Sequence, residues 1–116
     1  MIDIAYEVGL ALDKIIKGSR GTMVALYPRK ILLNTNLKER PQVLYWRIYY
    51  LLENLAEKGL LEKQHVSART LYIVRRGTPL WELFKKYGTS EAVQKFISLV
   101  VNSEYDRIKL TIPTTR

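Results

Sequence analysis

The stretch from Pro41 to Gly77, PQVLYWRIYYLLENLAEKGLLEKQHVSARTLYIVRRG, decides the fold of this chain. Counting back from Gly59, Leu55, Leu52, Ile48 and Leu44 recur at spacings of three and four, and Leu51 widens the stripe. That period is the apolar face of a long helix. Its start falls between Leu37 and Gln42, where Pro41 suits an early helical position, and Gly59 closes it. The opposite face carries Gln42, Tyr45, Arg47 or Tyr49, and Glu53. Past the glycine, strands are expected at about 60–66 and 70–76, joined by a tip near Ser67-Ala68-Arg69. In the second strand Leu71 and Ile73 are expected to point inward, with Tyr72 and Val74 on the other face.

On the N-terminal side, Ile4, Val8, Ala11, Leu12, Ile15 and Ile16 form one apolar stripe, which predicts a first helix over 3–17 capped by Asp3. Gly18 to Gly21 stop it. Residues 22–27 read as a brief strand at the edge of the later hairpin. Pro28 then opens a second helix from Arg29 to about Asn34, buried through Ile31, Leu32 and Leu33. Asn34-Thr35-Asn36 looks like a turn.

On the C-terminal side, Gly77 and Thr78-Pro79 punctuate, with Thr78 a natural N-cap for the helix LWELFKKY, which ends at Gly88. Thr89 is expected to cap the last helix, in which Val93, Phe96, Ile97, Val100 and Val101 make an amphipathic stripe. The tail IKLTIPTTR has no core pattern.

The chain has 116 residues, 47% of them hydrophobic, enough for one domain with a real core. The net charge of +8 attracts polyanions, either nucleic acid or an anionic membrane face. There is no cysteine, so disulfides, thiolate nucleophiles and cysteine zinc sites are excluded. His65 is the single histidine, and alone it makes no credible zinc site. No glycine-rich phosphate loop or paired carboxylates are visible, so an enzyme is not expected. MIDIAYEVGL lacks a basic segment before an apolar block, and apolar runs are only a few residues long. A cytoplasmic protein with no membrane span is therefore expected. The lean on Ile, Leu, Tyr, Lys, Arg and Glu is that of thermophile proteins.

The order helix, strand, helix, long helix, hairpin and extra helices resembles the winged helix-turn-helix family of transcription regulators. The resemblance covers roughly residues 3–77 and rests on LLENLAEKGLLEK, where Leu55 and Leu52 precede Gly59-Leu60-Leu61. The layout is similar to the PadR-like and MarR-like branches and implies an archaeal, archaeal-virus or plasmid source. The fold class implied is α+β, mostly α: a three-helix core plus a β-hairpin wing with a C-terminal helical extension. Residues 1–77 would be the DNA-binding domain, 78–108 the C-terminal helices of the same unit, and 109–116 a tail.

In such proteins the third helix enters the major groove and the hairpin lies along the backbone. The resemblance thus makes Gln42, Tyr45, Arg47 and Tyr49 the candidates for base contacts, and Lys63 and Arg69 the wing cations. Arg29 and Lys30, at the start of the second helix, are candidates for phosphate. Arg20, Lys38 and Arg40 flank the turns. The C-terminal stripe, Val93, Phe96, Ile97, Val100 and Val101, is either a dimer interface or packed on its own domain.

The expected partner is double-stranded DNA, bound by a homodimeric regulator on the nucleoid. No cofactor, metal or small-molecule effector is indicated. The helix face is unusually aromatic, with Tyr45, Trp46, Tyr49 and Tyr50 around Arg47, whereas base reading usually relies on Arg, Asn, Gln and Ser. Two alternatives therefore stay open: a low-specificity DNA-coating or segregation protein, and a winged helix that binds protein. Trp46 and Tyr50 are expected in the core or an interface.

Overall fold

A computed structural model describes residues 2–35 and 41–111, and the side chains of 4–35 and 42–101. The elements are α1 (Ile2–Lys17), β1 (Met23–Leu26), α2 (Pro28–Leu33), α3 (Pro41–Glu57), β2 (Glu62–Val66), β3 (Arg69–Arg75), α4 (Pro79–Lys86) and α5 (Thr89–Thr111). The fold is α+β and mostly helical, with one small antiparallel sheet in the order β1-β3-β2. The expected caps at Asp3 and turn end at Asn36, and the cations Lys38 and Arg40, lie outside the described side chains.

One hydrophobic cluster runs through all five helices and the sheet. α1 supplies Val8, Ala11, Leu12 and Ile16, and α3 supplies Leu44, Ile48, Leu52 and Leu55, as their periodicity predicts. Each such Leu or Ile contributes about 1.5–3 kcal/mol relative to staying exposed. α5 adds Phe96, whose ring centroid lies 5.7 Å from that of Phe84 on α4. α1 and α5 come together at Gly9. A Cβ built there would stand 3.1 Å from Phe96 Cδ2 and 3.2 Å from Val93 Cγ1, so the missing side chain sets how closely the helices approach.

The end of α3 aims the hairpin. Gly59 has φ +80°, the left-handed conformation glycine adopts without penalty. The Gly59 N–H donates to Ala56 O (3.0 Å) and the Leu60 N–H to Leu55 O (2.9 Å). This pair of bonds is a Schellman closure. It turns the chain back so that β2 and β3 run beside the helix they follow.

Four expectations are corrected. Tyr72 and Val74 face the core, paired with Leu26 and Val24 of β1; Ile73 is buried as expected, and Leu71 is only half-buried. The tyrosine ring competes with leucine for the inside because its hydroxyl finds a half-buried partner, described below. Leu33, expected inside, is 74% exposed, since Ile31 already fills the core side of a six-residue helix. Thr78 sits at the N-cap of α4, but its hydroxyl donates to Arg75 O (2.6 Å) instead of capping. Thr89 is the first residue of α5; the Ala92 N–H goes to Gly88 O (2.8 Å), and the Thr89 hydroxyl donates to Asp13 Oδ2 (2.8 Å).

The C-terminal stripe is largely used up within the chain. Val93, Phe96 and Val100 are buried, Ile97 packs partly against the core, and Val101 is exposed. Among the described residues, no helix is long and apolar enough to cross a membrane.

Gly9→Leu is expected to lower the unfolding free energy by about 2 kcal/mol, because the α1–α5 contact cannot admit the added atoms. Gly9→Ala should cost far less, since about 1 kcal/mol of helix propensity offsets the crowding. Urea unfolding of the three proteins checks both.

Candidate functional site

α3 presents its polar and aromatic face away from the core. Gln42, Tyr45, Trp46, Arg47 and Tyr50 are exposed and Tyr49 is half-buried. Trp46 and Tyr50, expected in the core or an interface, are 54% and 63% exposed in the chain. They lie two residues to either side of Ile48, about 200° around the helix from it, so they point away from the core that Ile48 enters. The four aromatic rings touch one another. The Trp46 centroid is 5.6 Å from those of Tyr45 and Tyr49, edge to face in both cases, and Tyr49 is 5.3 Å from Tyr50.

An open cleft of about 470 Å³ lies between this face, the start of α2 and the hairpin tip. Tyr45 and Tyr49 of α3, Arg29 of α2, and Arg69 and Thr70 of β3 line it, together with Tyr27 and Tyr72. Tyr27 is extended (φ −153°, ψ 158°), as a residue before proline tends to be, and this aims it at the hairpin. The Arg69 guanidinium lies 5.2 Å from the Tyr27 ring centroid, a cation–π contact that joins hairpin to α2. Arg69 is not part of the turn: it is the first residue of β3 and pairs with Val66. The turn itself is Ser67-Ala68, with Ser67 at φ +58°.

At Tyr72 the cleft adjoins a polar junction. Lys63 and Tyr72 are cross-strand partners and so share a face of the sheet. Both reach Glu53 on α3: the Tyr72 hydroxyl donates to Oε2, and Lys63 Nζ donates to Oε1 at 2.9 Å. Burial pushes the Glu53 carboxyl up, but these two bonds outweigh it and hold the group below its ordinary range. Burial, and then the bond to Glu53, push the Tyr72 phenol well above its own. The hydrogen bond to Glu53 raises Lys63.

The opposite face of the sheet carries a second junction. Arg75 bonds Glu62 through Nε (2.6 Å), and with Gln64 it holds that carboxyl down at about 2. Arg75 therefore ties the two strands of the hairpin together. His65 Nδ1 lies 3.1 Å from the hydroxyl of its cross-strand partner Thr70.

Of the residues expected at the site, Arg29, Tyr45, Tyr49 and Arg69 line one cleft, and Gln42 and Arg47 lie on the exposed face of α3 outside it. Lys30 turns away, donating to Ala25 O (2.9 Å), and Lys63 is held by Glu53. Sequence reasoning missed Tyr27 and Tyr72. The signal for Tyr27 was its place directly before Pro28; that for Tyr72 was the strand parity, which was read one residue out of phase. Among the described residues, no group of three His, Asp or Glu stands close enough to hold a metal ion. Comparison of the chain with protein-family models, with curated proteins and with solved structures gives no match.

Glu53→Ala should cost about 2 kcal/mol, because it leaves the buried Tyr72 hydroxyl without an acceptor. The depressed Glu53 carboxyl stabilises the fold above its unfolded value of 4.5, and that contribution is lost as pH falls through the lower folded value. Urea unfolding of wild type and Glu53→Gln should therefore differ at neutral pH and converge in acid.

Proposed function

We propose that this chain is a winged-helix DNA-binding protein that works by binding and not by catalysis. The observation that carries this reading is the convergence of Arg29, Tyr45, Tyr49 and Arg69, from three separate elements, on one edge of a chain with net charge +8. In this reading α2 and α3 are the helix-turn-helix pair and β2–β3 is the wing. α3, 17 residues and so roughly 25 Å long, lies in the major groove with Gln42, Arg47 and Tyr49 towards base edges. Arg29 and Arg69 hold phosphates. Lys30 and Lys63 serve the protein's own geometry and contribute field more than contact.

The protein acts in this reading as a transcriptional regulator on the cytoplasmic nucleoid. As a dimer it would place two copies of α3 about 34 Å apart, one duplex turn. With Val93, Phe96 and Val100 inside the core, the dimer contact uses other surface, including the exposed Val101. The aromatic character of α3 favours a second reading, a low-specificity protein that coats DNA, because tyrosine discriminates poorly between base pairs.

Fluorescence anisotropy across a salt series separates the two. One duplex carries the DNA upstream of the protein's own coding region and the other a scramble of it. Preference for the first is expected of a regulator, and equal, steeply salt-dependent binding of a coating protein. Arg69→Ala should weaken both duplexes alike and flatten the salt slope by about one unit. Arg47→Ala with Tyr49→Ala should lower discrimination with folding intact. Absence of binding to either duplex at low salt refutes the reading.

A further inference from the structure

The Tyr45–Trp46–Tyr49–Tyr50 cluster and the cleft beside it have a chemistry that a closed duplex does not use. A duplex offers phosphates and base edges, while its base faces are hidden in the stack. The cleft offers a different lining: four tyrosines, with Arg29 and Arg69 among them. Its volume of about 470 Å³ suits a small ligand. Tyr27, Tyr45 and Tyr49 furnish aromatic walls, and Arg29 and Arg69 stand at opposite elements around them. A guanidinium stacked on a ring, as Arg69 is on Tyr27, still presents its N–H edges to an anion. The Glu53 carboxylate, which would repel phosphate, lies beneath Tyr72 and is already bonded by Tyr72 and Lys63.

We propose that the cleft seats an unpaired nucleotide, its base stacked on the tyrosine walls and its phosphates held by Arg29 and Arg69. The neighbouring base stacks on Trp46 and Tyr50, which continue the aromatic surface from the cleft wall into solvent. The inference rests on the reading that this face binds nucleic acid, and it deepens it: the preferred form is a single strand or a locally opened duplex. Stacking of this kind tolerates any base, which accounts for an aromatic and arginine-poor α3.

The test compares labelled oligo(dT), labelled oligo(U), a closed duplex of equal length, and that duplex with a central unpaired 2-aminopurine. Unpaired forms should bind about tenfold more tightly than the closed duplex, and 2-aminopurine emission should fall as the base stacks. Tyr45→Ala and Trp46→Ala should each weaken single-strand binding about tenfold, and Trp46→Ala should leave the closed duplex unchanged, while Tyr45→Phe retains affinity. Oligo(dT) against oligo(U) shows whether the strand is DNA, RNA or either. Trp46 is exposed, so Trp46→Ala serves even if Tyr45→Ala fails to fold. A closed duplex bound as tightly as the open one, with constant 2-aminopurine emission, overturns the inference and leaves the DNA reading standing. No binding to any probe overturns both. A dimer that Trp46→Ala dissociates, with single-strand binding unaltered, makes the face an interface and also overturns the inference.

Discussion

α1 is the post against which the other four helices pack, and this single requirement shapes most of the chain. A helix contacted on so many sides must be apolar over a wide arc, and Ile4, Ala5, Val8, Ala11, Leu12 and Ile16 are all buried. At Gly9 the demand is for no side chain at all, since Phe96 and Val93 occupy that space. Lower down, Asp13 is 95% buried, which is costly for a charge unless it is paired. It is paired twice, by Lys17 one turn on and by the Thr89 hydroxyl, and Lys17 also donates to Phe84 O at 2.5 Å. Apolar contact sets how near α5 lies to α1, and this polar knot fixes where the α4–α5 corner sits along it.

The second constraint is local. Glu53 is the point at which α3 and the hairpin agree on their separation. The carboxylate cannot satisfy Tyr72 and Lys63 together unless both strands lie at a set distance from the helix, and the cleft is the space that distance leaves. Gly59 aims the hairpin, Glu53 stops it, and Arg69 over Tyr27 ties its far end to α2. The three contacts differ in kind, backbone conformation, ionic hydrogen bond and cation–π, so they respond differently to salt and pH.

The long helices α1, α3 and α5 were legible in the sequence because each carries a stripe set by the helical period, which survives without knowledge of partners, and α2 and α4 through the prolines that open them. Leu44, Ile48, Leu52 and Leu55 were found that way, as was the stop at Gly59. The inward face of β3 was not, because Leu71-Tyr72-Ile73-Val74 is apolar on both parities. Choosing between them needs the partner acid, which is 19 residues away in sequence. Thr78 and Thr89 misled for a similar reason, since a hydroxyl before a helix can cap it or bond elsewhere. Half of the site could be read, through the exposed tyrosines of α3 and the arginines at element starts. Tyr27 had a local signal, its extended place before Pro28, but its partner Arg69 comes to it only through the crossing of hairpin and α2.

Among the described residues, the sheet order leaves β2 as an outer strand with one side of its backbone unpaired. Such an edge is a template on which another chain can add a strand. Here it carries Glu62, Lys63, Gln64 and His65 in succession, and it is only five residues long. Two of these are bound in ion pairs of opposite orientation, Glu62 to Arg75 and Lys63 to Glu53. An incoming strand would have to lie against charge on both faces, which is how natural sheets resist edge-to-edge aggregation. The Lys63–Glu53 pair on the cleft side and the Glu62–Arg75 pair on the other face thus together guard this edge against pairing.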